Sequence, residues 1–317
     1  MHRPSRLAIV AAFAGVYLIW GSTYLAILFA IHSIPPMLMA GARFLCAGGI
    51  LYVIARLTGA SRSSLVEWRT AFIVGACLLL GGNGGVTLSE QYVPSGLAAL
   101  LVATVPLYIA LLSWLFKLSE RPTPVAALGL AGGFVGVGLL VGPALRVSDS
   151  SESPQAWIGI CILLVSSLVW SAGSLYSRHA KNATSPFLAA AQQMLCGGAL
   201  MFCFGLLRGE LHRLDLGHIS NVSLGAFIYL VLIGGIIGYA SYAFLLRYCE
   251  PAMVATYAYV NPIVAVALGA LFAGEKLSLR TALAALLIIG SVAFVITLGS
   301  RKKAFPLDAP AIPAATV

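Results

Sequence analysis

The chain has 317 residues, 60% of them hydrophobic and only 9% charged, against about 25% charged in a soluble domain. Ten acidic and nineteen Lys/Arg residues cannot cover the surface of a soluble protein of this size, so the bilayer is the solvent. The net charge of +9 does not point to nucleic acid: basic residues stand singly or in small groups between apolar runs, without a basic stripe and interleaved aromatics.

The first apolar run, Leu7 to Ile31, follows His2, Arg3 and Arg6. It is too long for the roughly 7–15-residue core of a signal peptide and reads as a first membrane span. Nine further spans are expected at Pro35–Ile54, Thr70–Ser89, Pro94–Phe116, Val125–Val141, Trp157–Tyr176, Pro186–Leu207, Leu224–Leu246, Pro251–Ala273 and Thr281–Gly299. Most are near the ~20 residues that cross a hydrocarbon core. With the N-terminus inside, thirteen basic residues fall on the cytoplasmic side: Arg3, Arg6, Arg56, Arg62, Arg69, Lys117, Arg121, Arg178, Lys181, Arg247, Arg301, Lys302 and Lys303. Five (Arg146, Arg208, Arg213, Lys276 and Arg280) fall outside, and Arg43 lies within a span. This excess supports ten spans with both termini cytoplasmic. The Pro/Ala-rich tail 304–317 reads as disordered. The six cysteines lie in apolar runs or at their ends without CxxC spacing, which suggests small apolar filler and neither a metal site nor a disulfide framework.

The two halves repeat. Leu18-Ile-Trp20 is echoed at Leu168-Val-Trp170, and Arg43-Phe-Leu-Cys46-Ala-Gly48 at Gln193-Met-Leu-Cys196-Gly-Gly198. Two segments opened by proline and interrupted by a second one, Pro94 to Phe116 with Pro106 and Pro251 to Ala273 with Pro262, occupy matching positions. Each then ends in an acid–base pair, Glu120-Arg121 and Glu275-Lys276. An odd number of spans per repeat inverts the second copy, so the fold expected is an all-α membrane protein of ten transmembrane helices as two inverted five-helix repeats. Interrupted helices at matched positions point to a transporter's binding site, with Pro106 and Pro262 as the expected kinks.

Arg43 should face a partner or a wet cavity, since an arginine at mid-bilayer is costly. It either attracts a substrate carboxylate or is clamped on backbone carbonyls or on Glu90. Its repeat mate Gln193 is neutral, which suggests an asymmetric site. Asn83, Thr87 and Glu90 share one helical face. Glu90, partly removed from water, is a proton-coupling candidate, the alternative being an interfacial acid without a role. Trp20, Ser22, Thr23, Trp170, Tyr257, Tyr259 and Asn261 supply aromatic faces, hydroxyls and an amide suited to a small organic substrate; the plainer reading is interface-belt and packing residues. Tyr257 and Tyr259, two apart, cannot both face a cavity on a regular helix. Tyr108, Tyr239 and Tyr242 are weaker candidates. The run Gly81–Gly85 around Asn83 sits in an apolar span without lysine and is packing or a flexing point, not a phosphate loop.

The stretches Trp20-Gly-Ser-Thr-Tyr, Ala42-Arg43-Phe, Gly82-Asn-Gly, Pro94-Ser-Gly, Ala103-Thr-Val-Pro106 and Thr256-Tyr-Ala-Tyr-Val-Asn-Pro262 resemble the drug/metabolite transporter superfamily, in particular its EamA-type exporters. The first acidic motif departs from the family, with Ser119 where glycine usually precedes the acid. The resemblance implies EamA repeats over 7–143 and 156–300, an inner-membrane location, and export of small metabolites, amino acids among them, or drugs. The expected mechanism is alternating access, driven by protons or another gradient; a passive facilitator is the near alternative. An intramembrane lipid-modifying enzyme would need clustered acids, a His–carboxylate pair or metal ligands; the nearest to these, His212 and Asp215, lie three apart in an outer loop rich in other charges, and no GxSxG occurs. The expected partners are a small-molecule substrate and the lipid bilayer, with no nucleic acid, metal or cofactor.

Overall fold

The computed structural model describes residues 5–118, 124–141, 155–183, 185–249, 254, 256–276 and 278–301. The acid–base pair at Glu120, the segment opener Pro251 and the tail 304–317 lie outside them. Every regular element among the described residues is helical. In chain order these are α1 (Arg6–Ala30), α2 (Pro36–Leu57), α3 (Leu65–Ser89), α4 (Ser95–Leu115), α5 (Pro124–Val141), α6 (Ala156–His179) and α7 (Pro186–Leu207). There follow α8, in three consecutive pieces (Asn221–Tyr229, Leu230–Ile237 and Gly238–Tyr248), then α9 (Tyr257–Phe272) and α10 (Leu279–Arg301). Seven are long and apolar enough to cross a membrane, and three shorter apolar stretches lie at Ala127–Leu139, Tyr257–Phe272 and Leu279–Phe294. Large apolar side chains such as Leu7, Val53, Leu128 and Val165 point outward, as lipid-facing residues do.

Local chemistry sets the helix starts. Ser5, Ser64, Ser185 and Ser220 each accept a hydrogen bond from a first-turn amide, as N-caps do. At α3, Glu67 answers Ser64 in a capping box. Two helices lack such a cap because proline precedes them: Pro35 at α2 and Pro94 at α4. Their amides are taken by carboxylates of the other half. Glu210 accepts from Met37 (2.8 Å) and Leu38 (3.0 Å). Glu275 accepts from the Ser95 amide (2.7 Å), the Ser95 hydroxyl (2.7 Å) and the Gly96 amide (3.0 Å).

Three helices are irregular at mid-span. α3 is π-helical over Ala76–Gly84 and α8 over Leu230–Ile237. α4 breaks at Ala103 and Thr104, between Ser95–Val102 and Val105–Leu115. Pro106 therefore sits in a first helical turn, where its missing N–H costs nothing, and the break falls just before it. Pro262, by contrast, lies inside the helical run of α9.

The halves interlock reciprocally. α1 packs on α8 and α9, and α6 on α3 and α4; α2 pairs with α7, and α5 with α10. Each of these contacts has a counterpart with the halves exchanged. Small residues permit the closest approaches. A Cβ on Gly41 of α2 would lie 2.5 Å from the Phe202 amide of α7, and one on Gly198 of α7 would lie 3.0 Å from the Leu45 amide of α2.

Candidate functional site

The polar residues expected on α2 and α3 do meet. Arg43 is 5% exposed, donates a short hydrogen bond to the Asn83 side-chain carbonyl and stands 4.5 Å from the Phe44 ring centroid. The π-helical stretch of α3 carries Asn83. The Thr87 hydroxyl donates to the Asn83 backbone carbonyl at 3.0 Å. Glu90 follows the end of α3 and is 3% exposed, with no hydrogen-bond partner for either carboxyl oxygen. Arg43 and Glu90 are close enough to interact electrostatically but make no ion pair within 4.0 Å among the described residues, and the Arg43 Nε is also unpartnered. A buried guanidinium and a buried carboxyl group thus lie inside the bundle with hydrogen-bonding atoms unpartnered.

The aromatic residues form a second cluster. Trp20 of α1 packs on Tyr242 of α8 (centroids 5.1 Å) and edge-on against Tyr257 of α9 (5.3 Å). Tyr242 also meets Tyr257 (5.9 Å) and Tyr239 (6.3 Å). The sequence rated Tyr239 and Tyr242 below Tyr259, but they belong to this cluster, whereas Tyr259 packs against the main apolar core. Helical spacing explains the split: residues two apart point to different sides. The Asn261 side-chain amide lies against the carbonyls of Tyr17 and Tyr257, to which its nitrogen donates (3.2 and 3.3 Å) once the amide is turned to match them. Tyr24, which the sequence did not mark, packs against the main apolar core.

The remaining candidates lie apart. Trp170 covers Gly82 in the π-helical stretch of α3, as Trp20 covers Gly238 of α8, so the two tryptophans hold equivalent places in exchanged halves. Ser22 bonds to the Ile19 carbonyl (2.8 Å) and the Tyr229 hydroxyl (2.6 Å), and Thr23 to the Trp20 carbonyl (2.6 Å); these hydroxyls are used within the helix bundle. Gln193 reaches Asn182 at 3.5 Å. Its neighbour Gln192 is 0% exposed with both amide atoms unpartnered, and it escaped the sequence reading because only Gln193 matches Arg43 in repeat register.

Two tandem stretches, residues 7–142 and 157–297, match the model of the EamA-like transporter family. The chain belongs to the EamA-like transporter family. It is 38% identical, over 96% of both chains, to the Escherichia coli K12 protein described as an uncharacterized inner membrane transporter, YedA. It is also 27% identical to the Bacillus subtilis 168 protein described as an uncharacterized transporter, YvbV, over 95% of this chain and 94% of that one. A Salmonella typhimurium protein described as a probable amino-acid metabolite efflux pump is 24% identical over 91% of this chain and 94% of its own length. A solved crystal structure, 20% identical, superposes with a TM-score of 0.61 over 94% of this chain and all of its own, a likeness of fold. EamA membership agrees with the two interlocked halves, and these relatives are named as transporters or an efflux pump.

Proposed function

We propose that this EamA-family chain is a secondary transporter of the inner membrane that exports small metabolites, amino acids among them, or drugs by alternating access. In this reading the ten helices all span, the second repeat is inverted relative to the first, and both termini are cytoplasmic. The charge asymmetry of the loops supports that orientation. Interlocked repeats with irregular helices at mid-depth are the setting in which transporters bind substrate.

The observation that carries the reading is the pair Arg43 and Glu90, a buried arginine and a buried carboxyl group with unused hydrogen-bonding atoms. Buried ionisable groups inside a membrane bundle mark substrate or proton pathways. Arg43, steadied by Asn83, attracts a carboxylate or another electron-rich group. Glu90 takes up and releases a proton as the interior opens to either side, because an unpartnered buried carboxylate is costly unless it is neutralised. The aromatic cluster of Trp20, Tyr242 and Tyr257 provides the apolar wall for the substrate's body. Thr87, Gln193, Trp170, Tyr259, Ser22, Thr23 and Asn261 remain site candidates; of these, Thr87 stands nearest the charged pair in sequence and hydrogen bonding.

Uptake into liposomes holding the purified protein tests the reading. Screening amino acids and aromatic cations should reveal at least one compound whose entry requires the protein. Absence of any protein-dependent flux across both classes would count against it.

A further inference from the structure

The hairpin of α3 and α4 is weakened in both arms, by the π-helical stretch Ala76–Gly84 in one and the break at Ala103–Thr104 in the other. Such interruptions of the hydrogen-bond ladder are common hinge points. Between them lies a tip, residues 85–102, that ends α3, turns through 90–94 and begins α4. The tip carries Glu90. Because Pro94 gives α4 no cap of its own, the first α4 amides are held from the other half by Glu275.

The fit around this carboxylate is specific. α9 ends at Phe272, and Gly274 turns back with φ +66°, a conformation that favours glycine. The Glu275 amide returns to the Gly269 carbonyl at 3.1 Å, which aims the side chain at α4. A Cβ on Gly96 would stand 3.0 Å from the Glu275 carboxylate, and one on Gly269 would collide with it. Three charge-assisted bonds at a helix N-terminus make a strong but local tie. Glu210 makes the analogous tie to α2, but there α2 and α7 meet backbone to backbone along their length, at Gly41, Gly198 and Gly205. The α4 tie is the one with a hinge on either side.

We propose that residues 85–102 form the extracytoplasmic gate over the Arg43–Glu90 site, hinged at Ala76–Gly84 and Ala103–Thr104 and latched shut by Glu275 on Ser95 and Gly96. The proposal deepens the transport reading and rests on it. The latch lies on the face opposite Arg56, Arg62 and Arg69, which the charge rule assigns to the cytoplasm. The tip also packs on α6, where Gly85 meets Ser166 and Gly159 meets Ser89, so release of the three bonds removes its polar hold and shifts the balance toward a swing that carries Glu90 from the interior to the outer side.

The test reads accessibility rather than flux. In a background whose six native cysteines are replaced by alanine, a cysteine at Ala98, buried one turn inside the latch, is reacted with a membrane-impermeant maleimide. Right-side-out and inverted membrane vesicles present the two faces. Glu275→Gln and, independently, Gly269→Ala, which displaces the carboxylate without removing it, should each raise labelling from the outer face by about tenfold, the effect of losing about 1.4 kcal/mol of closing energy. Labelling from the inner face should stay constant. Glu67→Gln, in the local capping box of α3, should change neither. Unchanged labelling in both latch variants would overturn the proposal, and so would an equal rise from both faces. A one-sided rise in a protein that transports nothing would keep the gate and remove the transport reading; flux without the rise would do the reverse.

Discussion

An arginine at the centre of an apolar helix costs about 2.5–3.5 kcal/mol on the insertion scale. Arg43 recovers part of that through the Asn83 carbonyl and the face of Phe44. Those partners leave its Nε unused. Arg43→Ala should therefore leave a folded, inserted protein whose substrate flux falls by tenfold or more, the order expected when a buried charged contact worth about 2–5 kcal/mol is lost. Flux in liposomes, alongside monodisperse elution in detergent, checks this; full flux would remove Arg43 from the site. The charge was legible from sequence because it is the only Lys or Arg well inside a span, and the helical spacing of Asn83 and Thr87 pointed to one face. Its partner was not: the sequence offered backbone carbonyls or Glu90, and the structure supplies Asn83 because the π-helical stretch of α3 brings that side chain to α2. Gln192 and Tyr24 were missed for the same reason, since neither repeat register nor pattern marks a polar side chain that tertiary packing buries.

Among the helices, α7 runs Pro186–Leu207 as its sequence signals specify: serine cap, first-turn proline and a stop at Arg208-Gly209. α8 begins three residues before the expected Leu224, since Ser220 rather than the apolar run sets its start. The π-helical stretch of α8 was not legible, because a period cannot be read in a segment apolar on every side; in α3 the run Gly81–Gly85 marked packing or a flexing point without showing the π-helical form. The pairing of α2 with α7 yields a contrast. Gly41→Ala would drive a methyl into the Phe202 backbone, whereas a Cβ on Gly49 meets nothing within 4 Å. Gly41→Ala should destabilise by roughly 1–3 kcal/mol, lowering the Tm in detergent by several degrees, and Gly49→Ala should leave it unchanged. Equal Tm values for both variants would show that α2 and α7 do not meet as closely as described.

The molecule as a whole carries two EamA repeats whose described helices are locked through exchanged contacts. The repeat was readable from matched motifs such as Trp20 and Trp170. The cross-half carboxylate ties were not, because Glu210 and Glu275 act far along the chain from the helices they cap. The proposed orientation predicts that a cysteine at Arg62 reacts with an impermeant maleimide only in inverted vesicles, and one at Asp215 only in right-side-out vesicles. The opposite pattern would invert the topology, and with it the side on which the α3–α4 tip opens.

The central claim is that the buried Arg43–Glu90 pair couples substrate to a proton gradient. The most direct measurement is gradient-driven accumulation of a transported compound in liposomes, comparing the native protein with Glu90→Gln. Native protein should concentrate the compound when a pH gradient is imposed, and Glu90→Gln should only equilibrate it. Accumulation that persists in Glu90→Gln would contradict the account, as would native protein that never exceeds equilibrium.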